Sequence, residues 1–529
     1  MRQLLNGDEA VAAAALDGGV TLGTGYPGTP STEILEAFDG LGGTAQWAPN
    51  EKVALEVGIG AAFAGGRSLV TMKHVGVNVA ADPLFTVAYE DVAGALVVVS
   101  ADDPGMASSQ NEQDNRRYAV AAAIPMLEPS DSQESYDFML RAIEISGRWH
   151  VPVLLRMTTR VCHSKSAVVR KENATQPAAP CYVKDASTRS MVPGHARPAH
   201  VRLREKLRQI GEWCEAAGPT EFIAGDPNLG IITSGIGYQH VREAAPEASI
   251  LKLGMTYPLP LKAIREFARS VKRCVVVEEG DPYLLEQLRT AGIAVEGKAE
   301  IFRFGELNAE RVRRLLSGDE TPEPKRVPGK PPALCPGCPH RTPFQALRDL
   351  ACIVSGDIGC YGLGVMEPFS AVDTSVCMGA SIGVGLGMRH AMDPEQARRV
   401  VSVIGDSTFM HSGINGLIEM VYNPPSTGHV VLVLDNGITA MTGMQEHPGT
   451  GRRLDHSRTS KVKIEDVARA IGVKNVHMLD AVAEPERFRE LLQQSLEKPE
   501  LTVIVARREC LLAVRSIREY ERANDEQCG

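Results

Sequence analysis

No apolar run in this chain is long enough to cross a membrane as a helix: the longest, Gly94 to Ser100 and Val400 to Ile404, are strand-sized. Basic charge is also short, with 56 Lys and Arg against 65 Asp and Glu and a net charge of −9. That balance, with no basic stripe, argues against nucleic acid as the main partner. The opening MRQLLNGDEAVAAAALDGG lacks a strongly charged leader, a long apolar core and a cleavage site, so it reads as the first amphipathic helix of a cytoplasmic fold. In that setting eleven cysteines in 529 residues do not make a disulfide framework, and the thiols are expected to be buried or bound to metal. No short-period repeat or low-complexity tract is visible.

What is present is an alternation of strand-like and helical runs. A chain of 529 residues with 43% hydrophobic content is too long for one core and divides into several α/β domains. In residues 1–165, RSLVTMKH, GALVVVSADD and VPVLLRMTTR read as strands between helices such as EAVAAAALDGG and STEILEAFDG. This predicts a parallel sheet with helices on both faces. Residues 166–225 read as a linker with one helix at Arg202 to Ala217, and 226–318 as a second α/β domain with strands LGIITSG, SILKLGM, CVVVEEG and AVEGKA. The Pro/Lys-rich 319–332 reads as a second linker, 333–510 as a third α/β domain closing on LTVIVARREC, and 511–529 as a tail. The fold class expected is therefore three doubly wound α/β domains.

The segment VIGDSTFMHSGINGLIEMVYN…VLVLDNGITAMTG carries the most chemistry. Two buried strands end in Gly405-Asp406-Ser407 and in Asp435-Asn436-Gly437. A hard cation takes oxygen ligands, and the Asp406 carboxylate, the Asn436 amide oxygen and a loop carbonyl such as that of Ile438 could supply one face of an octahedron. Diphosphate oxygens would complete it. The helix expected from His411 to Tyr422 could turn its free N–H groups to the same phosphates. Near the N-terminus, the loop TGYPGTPSTEI follows a strand and opens a helix capped by Thr29 or Ser31, and its hydroxyls suit a carboxylate or phosphate. Glu51, at the tip of an Ala/Gly-rich helix, could give a proton to a ring nitrogen, with Glu56 the alternative. The Gly-rich run Met378 to Met388 is spaced for close helix packing, and no nicotinamide site is assigned to it.

The cysteines carry a second signal. Cys335 and Cys338 form a C-x-x-C in a Pro/Gly turn, Cys360 lies in GDIGCYGLG, and Cys510 follows the last strand. Spacing alone suits zinc, an iron–sulfur cube or a redox dithiol equally. Cys162, Cys181, Cys214, Cys274, Cys352 and Cys377 sit singly and read as packing residues, while Cys528 has no assigned role.

Together GYPGTPSTEI, NEKVALEVGIGAA, MKHVGVNVAADPL, VVSADDPGMASSQNEQDNRRYA, CPGCPHR, GDIGCYGLG and VIGDSTFMHSGINGL resemble the large (α) subunits of indolepyruvate:ferredoxin oxidoreductases, over roughly residues 5 to 515. These are thiamine-diphosphate-dependent 2-oxoacid:ferredoxin oxidoreductases, in whose branch Ser407 and Asp435 look usual. The resemblance implies a pyrimidine-binding domain, a transketolase-C-like domain and a diphosphate-binding domain, in that order. By it, Glu51 hydrogen-bonds the aminopyrimidine, and Gly405, Asp406, Ser407, Asn436 and Ile438 hold diphosphate and Mg2+. Cys335, Cys338, Cys360 and Cys510 hold a [4Fe–4S] cluster.

It further implies oxidative decarboxylation of an aryl 2-oxoacid to an acyl-CoA, with coenzyme A as co-substrate and ferredoxin or a similar acceptor. The substrate carboxylate would meet Thr29 and Ser31, with His74 in the pocket wall. A small second subunit and a dimer of the large subunit are expected partners. Longer relatives carry a ferredoxin-like domain with further cysteine runs; this sequence ends at Gly529 without them, so one cluster is expected. The rival readings are a non-oxidative thiamine enzyme, in which the cysteines are incidental, and a silent electron-transfer or scaffold subunit.

Overall fold

The computed structural model describes residues 2–171, 181–324 and 332–525. The chain divides into two compact units, Met1–Lys325 and Arg326–Gly529.

The first unit holds a seven-stranded sheet in the order Met255–Tyr257, Met126–Leu127, Val153–Thr158, Ala95–Asp102, Arg67–Lys73, Leu22–Gly25, Ala45–Trp47. All of its pairings are parallel except that of the Met255–Tyr257 strand. Every residue of Ala95–Asp102 and of Val153–Thr158 is buried, as central parallel strands covered on both faces must be. A second sheet runs Arg273–Val277, Asp226–Ser234, Ala248–Leu253, Thr220–Ile223, the last strand antiparallel. Its core gathers Ile231, Val241, Ile250, Val275, Phe302 and Val312.

The expected divisions of this unit differ from the observed ones in three ways. The Met255–Tyr257 strand, from the middle of the 226–318 range, pairs with Met126–Leu127 and so joins the first sheet. The expected linker carries regular structure: Ser166–Val169 pairs antiparallel with Arg2–Leu5, and Pro193–Ala217 is a 25-residue helix. Finally AVEGKA forms only an isolated bridge, Val275 to Glu296. Single-strand edges carry too short a pattern to reveal their partner.

The second unit is built on an all-parallel sheet in the order Ile353–Ser355, Val400–Gly405, His429–Asp435, Leu501–Arg507, Asn475–Leu479. Separate apolar cores include Phe344, Val403, Leu432 and Phe488, and Ile382, Phe409, Val431 and Val503. The Gly-rich helix is Ala380–Ala391, and the reason for Gly385 is contact: a Cβ there would lie 2.3 Å from Ser402 Oγ. Gly383 and Gly387 would meet nothing within 4 Å. The helix expected to begin at His411 begins at Asp406, passes through a π-helical segment Phe409–Gly413 and continues as Ile414–Tyr422. Such π segments frequently mark functional sites. The tail contributes a helix, Val514–Asp525; Cys528 and part of the 319–332 stretch lie outside the described residues.

Candidate functional site

In the second unit, Asp406 and Asn436 follow the C-terminal ends of two adjacent parallel strands, Val400–Gly405 and His429–Asp435. That edge is where open α/β sheets bind ligands. Both side chains are buried. Asp406 accepts hydrogen bonds from the N–H groups of Ser407 at 2.9 Å and Gly437 at 2.8 Å, and His447 Nε2 stands 3.3 Å from its Oδ2. Burial works against the charge, but His447 and the two N–H donors outweigh it and hold the carboxyl below its usual range. Asn436 Oδ1 accepts from the Ile438 N–H at 3.1 Å, and its Nδ2 lies 3.4 Å from His340 Nε2. Thr439 Oγ1 donates to Ser407 Oγ at 2.8 Å, tying the two loops. Gly405 is small for a reason: a Cβ there would lie 2.4 Å from the Tyr361 ring.

His340 and His447 were not singled out by sequence reasoning. The signal for His340 was its place in CPGCPHR; His447, in MQEHPG, had none. Burial pushes the His340 ring down to about 4, partly opposed by Asp406, so it is neutral at pH 7. Asp435 is register partner of Arg507 on the neighbouring strand and accepts from its Nε at 2.6 Å. Arg507 also donates to Glu465 at 2.7 and 3.1 Å. Burial and the Asp406 charge push Asp435 up to about 6, with Arg507 opposing them.

The four cysteines Cys335, Cys338, Cys360 and Cys510 line one cavity of about 80 Å³, together with Leu334, Leu363, Leu511 and His340. Cys510, the most remote in sequence, is fixed by its N–H to the Asn436 carbonyl at 2.9 Å. Cys338 is raised by burial and by Cys335 and Cys510. Cys360 is pushed up to about 11 by burial and by the other three thiols. Of the six single cysteines, Cys162, Cys214 and Cys274 are buried as packing residues should be, whereas Cys181 and Cys377 are exposed.

In the first unit, Glu51 is the first residue of the helix Glu51–Phe63, whose cap Asn50 accepts from the Val53 N–H at 2.9 Å. Glu51 is only 5% exposed. A Cβ on Gly76 would lie 2.6 Å from Glu51 Cγ, so the glycine lets the helix His74–Val79 close over this carboxylate. Glu56 is instead exposed and paired with Lys52. His74 has no exposed surface: its Nε2 lies 3.3 Å from the Asn111 carbonyl and its Nδ1 has no partner. Burial lowers its pKa, with Asp102 opposing. The His74 carbonyl accepts from Gln113 at 2.9 Å and Asn115 at 3.0 Å, so His74 anchors a loop. Ser31 is the N-cap of the helix Thr32–Gly40 by position, yet its hydroxyl donates to the Gly28 carbonyl at 2.9 Å and caps nothing. Thr32 Oγ1 accepts from the Gly28 N–H at 3.0 Å, and Thr29 is half-buried.

With this geometry in view, the comparisons are specific. Residues 13–199 match the thiamine-diphosphate-binding family of pyruvate flavodoxin/ferredoxin oxidoreductases, and residues 357–506 match the C-terminal thiamine-pyrophosphate-binding domain of thiamine pyrophosphate enzymes. Indolepyruvate oxidoreductase subunit IorA of Methanothermobacter thermautotrophicus is 39% identical over 99% of this chain and 89% of its own length. Its counterpart from Archaeoglobus fulgidus is 37% identical over 98% and 88%. Among solved structures, a 2-oxoglutarate:ferredoxin oxidoreductase from Magnetococcus marinus, with 2-oxoglutarate, coenzyme A and succinyl-CoA bound, shares the fold at a TM-score of 0.51 and 16% identity, covering 60% of this chain and 65% of that one. The chain has the α/β architecture of the thiamine-diphosphate enzymes and belongs to the IorA family of indolepyruvate oxidoreductase subunits.

Proposed function

We propose that the chain is the large subunit of a thiamine-diphosphate-dependent 2-oxoacid:ferredoxin oxidoreductase that acts on an aryl 2-oxoacid of the indolepyruvate kind. Oxidative decarboxylation of the 2-oxoacid anion with the coenzyme A thiol gives an acyl-CoA, carbon dioxide, one proton and two electrons; a [4Fe–4S] cluster held by Cys335, Cys338, Cys360 and Cys510 would supply the one-electron carrier toward ferredoxin or a similar acceptor. The observation that carries the reading is the joining of two donor sets in one unit: Asn436, whose loop neighbours Asp406, accepts at its backbone from Cys510.

The residues present fit the groups this function needs. Asp406, Asn436 and the Ile438 carbonyl offer a hard cation an anionic and two neutral oxygens, and Gly405 and Ser407 line the same loop. Asp406, with His447 Nε2 at 3.3 Å, is held below the usual carboxylate range in a buried setting. Four sulfurs around one cavity match the donor count of a cubane. Thiamine diphosphate, when bound, supplies a carbon nucleophile for the 2-oxoacid ketone and an electron sink for its decarboxylation.

Glu51, buried at its helix tip, holds and moves a proton at the aminopyrimidine ring nitrogen. The Thr29–Ser31 loop meets the substrate carboxylate, and His74 positions the 111–115 loop. A small second subunit completes the enzyme, the large subunit pairs with a second copy, and the assembly works in the cytoplasm; among the described residues no helix is long and apolar enough to cross a membrane.

The test is anaerobic purification with iron and acid-labile sulfide analysis, then viologen reduction by a panel of 2-oxoacids with coenzyme A. Iron near four per chain, with arylpyruvates turned over faster than pyruvate or 2-oxoglutarate, is the expected result. Decarboxylation without dye reduction would favour a non-oxidative enzyme. Neither activity, with the cluster present, would favour a silent subunit.

A further inference from the structure

Asp8 belongs to none of the groups above. The helix Gly7–Asp17 starts hard against the short helix Thr159–His163: a Cβ on Gly7 would lie 2.2 Å from the Val161 carbonyl oxygen. That approach leaves Asp8 0% exposed, with no nitrogen or oxygen donor at either carboxylate oxygen and only the weak Cys162 thiol beside it. Glu33 arrives from the first turn of Thr32–Gly40, and its Oε2 is also buried without a partner. His163 closes the short helix. One ligand atom from each of Asp8, Glu33 and His163 lies within 4.8 Å of the others.

Two carboxylates so placed without a cation are costly. Burial pushes the Asp8 carboxyl well up; the Cys162 thiol pulls it back, while the charges of Glu33 and Glu9 add to the rise. The nearby ammonium, Lys165, is 3.7 Å from Glu9. Elsewhere in this unit the buried carboxylates Asp102, Asp114 and Glu278 have an arginine at 2.5 to 2.8 Å. The Asp8 group has an imidazole in that place.

We propose that Asp8, Glu33 and His163 form a binding site for a divalent cation of the zinc type, with one imidazole nitrogen and two carboxylate oxygens as protein ligands and water completing the shell. The imidazole favours zinc, cobalt or nickel over magnesium, calcium and manganese, which prefer oxygen. The three ligands come from three separate helices, so the cation acts as a clip between the N-terminal helix, the helix opened by the Thr24–Ser31 loop, and the helix following the Val153–Thr158 strand.

The test is a cobalt(II) titration of the full chain carrying Cys335→Ser, Cys338→Ser, Cys360→Ser and Cys510→Ser, which removes the four thiols of the cluster cavity. One equivalent should bind, with visible d–d bands and no thiolate charge-transfer band. Glu33→Gln and His163→Ala, at half-buried and exposed positions where folding is not at stake, should each weaken binding by about tenfold or more. Glu9→Gln, which keeps the capping box with Asn6, should leave it unchanged. Absence of a one-equivalent transition, or equal affinity in Glu33→Gln and His163→Ala, overturns the proposal.

Discussion

Two clusters of buried acid in this molecule serve opposite ends. In the first unit Arg116, 1% exposed, donates to Asp114 and Glu278 and to the carbonyls of Glu279 and Asp281, while Arg156 donates to Asp102 at 2.8 Å and stands 3.5 Å from Glu128. Glu128 in turn accepts from Ser234 and Thr256, so the network ties the strand ends of both sheets together. In the second unit Asp406 is as deeply buried, yet its neighbours are two N–H groups and a histidine. In the first cluster two guanidiniums serve four carboxylates, each of which has an arginine within 4 Å. The second keeps a carboxylate ionised without an arginine, which is what a site for a diphosphate-bound cation requires.

The sharpest way to break this contrast is Asp406→Ala, which removes the charged ligand and should abolish magnesium-dependent binding of thiamine diphosphate while leaving the melting transition of the apo chain in place; calorimetry with unchanged affinity would reverse the assignment. Next in size, Glu51→Gln should retain cofactor but slow deuterium exchange at its C2 by about 10² to 10⁴. On the structural side, Arg116→Met leaves Asp114 and Glu278 uncompensated and should cost about 3–5 kcal/mol in denaturant unfolding; a loss below about 1 kcal/mol would show that the network is dispensable.

The smallest effect concerns Glu279, beside that network. Burial pushes its carboxyl up to about 7, with Arg156 opposing, and its Oε2 has no partner. Its folded pKa lies above the unfolded value, so its contribution to stability is full below about pH 4.5 and is lost as pH rises through about 7. Glu279→Gln should therefore gain stability over the parent chain as pH rises from about 5 to 8, by up to about 3 kcal/mol. A difference independent of pH across that window would refute the account.

The chemistry-bearing turns were legible because each follows a strand whose apolar run is unmistakable: Val400 to Ile404 before Asp406, and His429 to Leu434 before Asn436. The cysteine set was legible from its C-x-x-C turn, but its fourth member was not derivable from spacing. A backbone hydrogen bond from Cys510 to Asn436 fixes it there. His447 was invisible for a similar reason, since an isolated histidine has no period, whereas His340 had its place beside the C-x-x-C turn as a signal. Met255, expected at the end of the strand SILKLGM, instead opens the strand Met255–Tyr257, whose three residues cannot declare which sheet they extend.

The sequence by itself determined the α/β class and the turns on which the candidate oxygen and sulfur donors sit, since those follow from local periodicity and from residues that interrupt it. Tertiary structure alone decided which charges are answered and which are not. Asp435 meets Arg507 because strand register sets them side by side, Arg116 meets Glu278 because two sheets share one unit, and Asp8 meets Glu33, His163 and the Cys162 thiol because Gly7 lets its helix press against Val161. Burial and charge balance are properties of neighbours brought together across the chain, and a linear pattern does not contain them.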